Sequence, residues 1–143
     1  MVVDGLPATM KDLRLSNNQF IGEISLESLP ERLQYLDIAN NQLSGAICLT
    51  SLPPALIQLF LEGNHFEGSL DLTQLPTTLQ SIQLCDNIFS GTIDLGHLPP
   101  TVSHLSASNN NLSGTLRVPP SVQFTREGNT KLTLEFMPEK ELF

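Results

Sequence analysis

Tryptophan is absent from this chain, tyrosine occurs once, cysteine twice, and neither lysine nor arginine lies between Arg32 and Arg117. The missing cations exclude most. Nucleic acid and anionic membranes are held through neutralised phosphates. A stretch whose charges are Asp37, Glu62, Glu67, Asp71, Asp86 and Asp94 repels both. Over the whole chain, 7 Lys plus Arg face 15 Asp plus Glu, a formal charge of −8, so a charged partner is expected to be basic.

Long apolar runs are also missing. The most apolar window, "LPPALIQLFL", is broken by Pro53 and Pro54 and is too short to span a bilayer. The opening "MVVDGLPATMKDL" has no apolar stretch of signal-peptide length. A cytosolic protein is the expected reading, and a surface or secreted one if the chain is a piece of something longer. The sequon "NLS" at Asn111 does not decide between them. No phosphate loop, dinucleotide fingerprint, Cys-x-x-Cys, zinc-protease or nucleophile-elbow motif occurs.

What is present is repetition. "LRLSNNQF" at 13–20 returns as "LDIANNQL", "LFLEGNHF", "IQLCDNIF" and "LSASNNNL", at a spacing of 23 residues. One register holds from residue 6 to about 118. Asn18, Asn41, Asn64, Asn87 and Asn110 share one position, with glycine four residues after each. Pro7, Pro30, Pro53, Pro76 and Pro99 share another, and aliphatic or aromatic residues fill the remaining fixed places.

In "xLxLx" the leucines alternate with polar residues, the period of a strand buried on one face. One such strand per coil predicts a parallel sheet on the concave side. After it the chain must bend inward, and an asparagine amide can donate to and accept from the backbone groups that the bend leaves unpaired. All five asparagines are therefore expected to be structural, stacked as a ladder. Each glycine opens a second alternating run ("GEISL", "GAICL", "GSLDL", "GTIDL", "GTLRV"), which predicts a short flank strand. The following "LP" suits an extended or tight-turn return. Little helix is expected, and stability should be a sum over neighbouring coils.

Five in-phase matches to L-x-x-L-x-L-x-x-N-x-L make the chain resemble the leucine-rich repeat family. The recurring "LPERL", "LPPAL" and "LPTTL" look most like such repeats in trypanosomatid protozoa. The Gly-x-Ile run is similar to plant-type repeats, which carry proline next, where this chain has Ser25, Cys48, Asp71, Asp94 or Arg117. The resemblance implies a mainly β, right-handed solenoid serving as a protein-interaction module. The expected organisation is a lead over 1–5, repeats over 6–28, 29–51, 52–74, 75–97 and 98–118, a degenerate C-terminal cap over 119–136 and a tail over 137–143. No cap is recognisable before Leu6. The first coil needs cover from further chain or a second molecule, and self-association through uncapped ends is one expectation.

Inward residues are committed to packing, so function is sought on the outward concave positions. Tyr35 and Phe60 stand there in adjacent coils with no core reason to be aromatic. Asp12, Asp37, Glu62 and Asp86 form an acidic diagonal, with Arg14 placed to pair with Asp37. Gln58, Gln83 and His104 complete the candidate partner face. His65, His97 and His104 occupy different repeat positions and cannot converge on a metal, while Cys48 and Cys85 fall in non-adjacent coils and should not bridge. Cys85 has Asp86 beside it and is a poor nucleophile candidate. No catalytic constellation, metal or cofactor is expected. The function expected is a scaffold binding a peptide or protein. The alternative is a fragment of a surface or secreted recognition receptor with a glycan or peptide ligand.

Overall fold

The structure is a computed structural model that describes residue 1 and residues 3–138; of the tail expected from 137 onward, residues 139–143 lie outside it. The described residues contain twelve short strands and no helix. Odd-numbered strands build the concave sheet in the order β1 (Asp12–Arg14), β3 (Tyr35–Asp37), β5 (Gln58–Phe60), β7 (Ser81–Gln83), β9 (His104–Ser106) and β11 (Gln123–Thr125). Even-numbered strands build a flank sheet from β2 (Ile21–Gly22), β4 (Gln42–Ala46), β6 (His65–Gly68), β8 (Ile88–Gly91), β10 (Asn111–Val118) and β12 (Lys131–Phe136). All pairings are parallel. Each coil thus gives one strand to each sheet, and the leucines between them fill a single core.

The sequence explains this winding residue by residue. Leu36, Leu59 and Ile82 sit at the centres of their strands with no solvent exposure, while the flanking positions face outward. The chain then bends through a residue of positive φ: Asn17, Asn40, Gly63, Asp86, Asn109 and Gly128. Asparagine, aspartate and glycine are the residues that enter this region most readily. The return is equally regular. In each "LP" corner the proline carbonyl accepts from the N–H three residues on, as in Leu33 to Pro30 at 3.1 Å and Leu56 to Pro53 at 3.1 Å. The result is a tight turn on the convex wall, which leaves no room for a helix.

The ladder is a chain of amides, each bonded across coils. Asn64 Nδ2 donates to the carbonyls of Ile38 (3.0 Å), Leu61 (3.2 Å) and Glu62 (3.4 Å), and its Oδ1 accepts from Leu43 N–H at 3.1 Å. Asn41, Asn87 and Asn110 repeat that pattern and are buried. Asn18 differs. It is exposed and, among the described residues, bonds only within its own coil, to Leu15 and Ser16, with no neighbouring coil among those residues to take its remaining bonds.

A sixth rung follows the five that the letters display. Asn129 is 4% exposed; its Nδ2 donates to Ala107 (2.8 Å) and Arg126 (2.9 Å), and its Oδ1 accepts from Leu112 N–H (3.0 Å). Residues 119–136 therefore carry a turn at Pro119, a concave strand, a ladder amide and the six-residue flank strand β12. This coil is short. Three residues are missing before its proline, and one more between Val122 and Phe124, so Asn129 follows Asn110 by nineteen positions instead of twenty-three.

At the opposite end the first coil is partly covered from within. Val3 joins the core at 7% exposure, and the Met1 amino group donates to Glu23 O at 2.7 Å. Phe20 and Ile21 nevertheless remain 37% and 67% exposed, and β1 and β2 are the open sheet edges.

Candidate functional site

The outward positions of the concave sheet form a grid set by strand register. Asp12 lies beside Tyr35 and Tyr35 beside Gln58; Arg14 lies beside Asp37, Asp37 beside Phe60, and Phe60 beside Gln83. The two aromatics are therefore diagonal neighbours. Their ring centroids are 5.3 Å apart at an interplanar angle of 44°, within the range in which tilted rings attract. Both are half-buried, each shielding part of the other.

Arg14 does not pair with Asp37 as its neighbouring position suggests. Its guanidinium carbon lies 4.2 Å from the Tyr35 ring centroid, a cation–π contact. Asp37 Oδ1 instead accepts from the backbone N–H of Ala39 at 3.0 Å. The first three coils thus present a continuous Arg14–Tyr35–Phe60 stack with Asp37 on its border. Asp12 is exposed at one end of the outermost column and His104 next to its other end, which Gln123 occupies; the His104 ring is 2.8 Å from Ser103 Oγ. Gln58 and Gln83 are half-buried and flank Phe60. Asp86 has left the sheet for the positive-φ turn, where it accepts from Asn109 Nδ2 at 2.8 Å.

Glu62 is the unusual member. It lies two residues beyond Phe60 on the same face, half-buried, and its Oε2 reaches neither solvent nor a hydrogen-bond partner. Burial pushes its carboxyl up to about 7; a bond from its own backbone opposes the rise, and Asp37 and Asp86 add to it. Position alone identified Glu62 as acidic and outward. That one of its oxygens is cut off from water is visible only in the packing.

A consequence can be checked by stability alone. Between about pH 4.5 and 7 the folded chain holds a proton at Glu62 that the unfolded chain has released, so this group lowers stability as pH rises through that window. Above 7 its effect is constant. Discounted for its half exposure, the loss should be about 1–2 kcal/mol. Glu62→Gln should remove it, becoming more stable than wild type at pH 8 and equal to it near pH 4. Parallel wild-type and variant denaturation profiles across that range would show that the carboxyl titrates as if free.

Elsewhere the polar groups are satisfied locally. A flank groove of about 540 Å³ is lined by Asp71, Thr73, Asp94 and Arg117 among others. Thr73 donates to Asp71 from both its hydroxyl and its backbone, holding that carboxyl below the usual range. Asp94 accepts from Gly96 N–H and contacts His97, and Arg117 lies 4.0 Å from Glu135. Both cysteines are free. Among the described residues no three His, Cys, Asp or Glu side chains converge as metal ligands would.

A leucine-rich-repeat family model matches residues 32–59, the second turn of the solenoid and the start of the third. No curated protein matches the chain. Two solved structures from Arabidopsis thaliana are similar to it. One is the leucine-rich-repeat ectodomain of the receptor kinase SOBIR1, at 27% identity and a TM-score of 0.62, over 73% of this chain and 62% of that one. The other is the BIR3–SERK2 complex, at 28% identity and a TM-score of 0.57, over 96% of this chain and 74% of that one. The chain spans less than two thirds of the SOBIR1 ectodomain. Both neighbours are plant proteins, so the similarity extends to repeats of plant origin although proline is missing after the Gly-x-Ile run; a specific likeness to trypanosomatid proteins finds no support in them. The matched repeat and the shared architecture make the fold a leucine-rich-repeat solenoid and support placing the chain among leucine-rich-repeat proteins.

Proposed function

We propose that the chain is a non-enzymatic interaction scaffold whose concave sheet binds a basic peptide or protein. The observation that carries this reading is the Arg14–Tyr35–Phe60 stack on a sheet fixed by the ladder beneath it, beside a carboxyl oxygen with no partner. Aromatic and arginine side chains held in place lose little freedom on binding, and they dominate interface energetics. The BIR3–SERK2 neighbour, a complex of two proteins, is consistent with such a role. The cation-free middle of the array disfavours nucleic acid and anionic membrane as alternatives, and no helix among the described residues is long and apolar enough to cross a membrane.

The test is a double substitution. Tyr35→Ala with Phe60→Ala should reduce recovery of a captured partner at least tenfold, since each hot-spot aromatic contributes about 2 kcal/mol or more. Thermal unfolding should shift little, because neither ring is in the core. Unchanged recovery from a folded double variant would remove the concave face as the site.

A second reading has its own support. SOBIR1 contributes an ectodomain to the comparison, and Asn111 of the sequon is exposed on β10. Under that reading the chain is part of a surface or secreted recognition receptor for a glycan or peptide, and nothing in the comparisons favours the cytosolic expectation. Secretory expression separates the two: a glycosidase-sensitive mass shift lost in Asn111→Gln is what the receptor reading requires.

A further inference from the structure

This inference rests on the concave-face reading and specifies the chemistry of what sits there. Phe60 is the centre of the argument. Asp37 is its register neighbour on one side and Gln83 on the other, Glu62 follows on the same strand face, and Tyr35 lies diagonally with its ring 5.3 Å away. An aromatic ring is thus set between two carboxylates. The neighbouring ring already carries a guanidinium, that of Arg14, at 4.2 Å. The coil that carries Phe60 and the coil above it have no Lys or Arg, since none occurs between Arg32 and Arg117, and Arg14, two coils below, stacks on Tyr35.

The unfilled acceptor lies beside this ring. Glu62 Oε2 has neither solvent nor donor, an arrangement that disfavours the ionised form and that an arriving cation relieves. The side chain is only partly buried as a whole, and the seat requires the carboxylate to turn toward the face when a cation arrives. We propose that Phe60, bordered by Asp37 and Glu62, is a seat for one arginine side chain of a basic peptide, whose guanidinium stacks on the ring and forks to the carboxylates. Arginine fits better than lysine. Its planar cation can stack and donate in two directions at once, whereas an ammonium presents a compact, strongly hydrated charge.

The seat is proton-linked. The charged and titratable groups facing Glu62 are Asp37 from the coil below, Asp86 and Cys85 from the coil above, and Tyr35 with Arg14 beyond Phe60. Its carboxyl, raised to about 7, is roughly one-tenth ionised at pH 6 and nine-tenths at pH 8. Arginine is fully charged at both. Any change in affinity between them therefore belongs to the protein.

Blocked hexa-arginine and hexa-lysine peptides, titrated into the folded chain and followed by backbone NMR and calorimetry, test the proposal. Hexa-arginine should perturb residues around Phe60 and Glu62 and bind up to about tenfold more tightly at pH 8 than at pH 6, following the ionised fraction. Glu62→Gln should weaken it and abolish the pH dependence. Phe60→Ala should weaken it about tenfold and Phe60→Tyr restore it. Absence of binding, equal affinity for hexa-lysine, or perturbations spread over all the acids regardless of Phe60 would each overturn the arginine seat. Those failures would leave the wider reading to the capture experiment, whose own failure leaves peptide binding at Phe60 measurable.

Discussion

Asn64→Leu is expected to be among the most damaging substitutions in the chain, at about 3–5 kcal/mol, enough to unfold a marginal solenoid at physiological temperature. Four backbone groups bond to this one amide: the N–H of Leu43, and the carbonyls of Ile38, Leu61 and Glu62, which also accept from Asn41 Nδ2, Asn87 Nδ2 and Asn40 N–H respectively. The bonds to Leu43, Ile38 and Leu61 are buried, the one to Glu62 partly so, and a buried polar group left unmade costs about 1–3 kcal/mol. Leucine has the same branched skeleton as asparagine and is no smaller, so the loss is not a cavity effect. Asn64→Asp sharpens the point, because it keeps the acceptor for Leu43 yet sets an acidic oxygen against three carbonyls. Asn18→Leu supplies the control. Its amide is exposed and, among the described residues, bonds only within its own coil, so less than about 1 kcal/mol should be lost. Chemical denaturation of the three variants measures this, and comparable losses at Asn18 and Asn64 would mean that burial and cross-coil bonding do not set the ladder's worth.

The contrast also shows what letters convey and what they do not. A fixed asparagine beside alternating leucines specifies a strand, a bend and a ladder, because those residue types have few other physical uses at that spacing. Solenoid, parallel sheets and scarce helix were all legible for this reason. That Asn18 is exposed was not legible in the motif, since its sequence surroundings match those of Asn41; the difference is the absence of a coil below it among the described residues, a property of the stack. The sixth rung was hidden for the opposite reason. Its amide makes ladder bonds, but four missing residues shift it out of phase with any fixed spacing. A signal did exist: "EGN" at 127–129 repeats "EGN" at 62–64, with glycine in the same positive-φ position before each asparagine.

The concave face was legible in its columns and illegible in its pairings. Register alone places Arg14 beside Asp37, and Coulomb attraction between them is the natural expectation. At a solvent-exposed site such a pair is worth little. Stacking over Tyr35 lets the arginine cover an aromatic ring while its charge stays hydrated. Asp37 takes its own turn N–H instead. Glu62 shows the reverse limit: an acid at an outward position reads as solvated, and only the packing reveals an oxygen with nothing to bond.

Phe66→Ala should rival the ladder substitution, at about 3–5 kcal/mol. Phe66 is fully buried and stacks on Phe89 of the next coil, centroids 6.2 Å apart and planes within 17°. Its own N–H donates to Asn87 Oδ1 at 3.1 Å, so the ring and the amide ladder fix the same stretch of backbone. Truncation opens a void between coils that neighbours on either side hold rigidly, leaving little scope for collapse. Phe20 occupies the same repeat position at the open end and is 37% exposed. Phe20→Ala should cost about 1 kcal/mol, the part of its transfer energy still realised there. Because the two substitutions are chemically identical, their difference isolates what a neighbouring coil contributes to one side chain. Equal losses in denaturant melts would deny that coil-to-coil stacking is the source of stability, whereas the expected gap of several kcal/mol, closing when a further coil is fused ahead of Leu6 to cover Phe20, is what a nearest-neighbour solenoid requires.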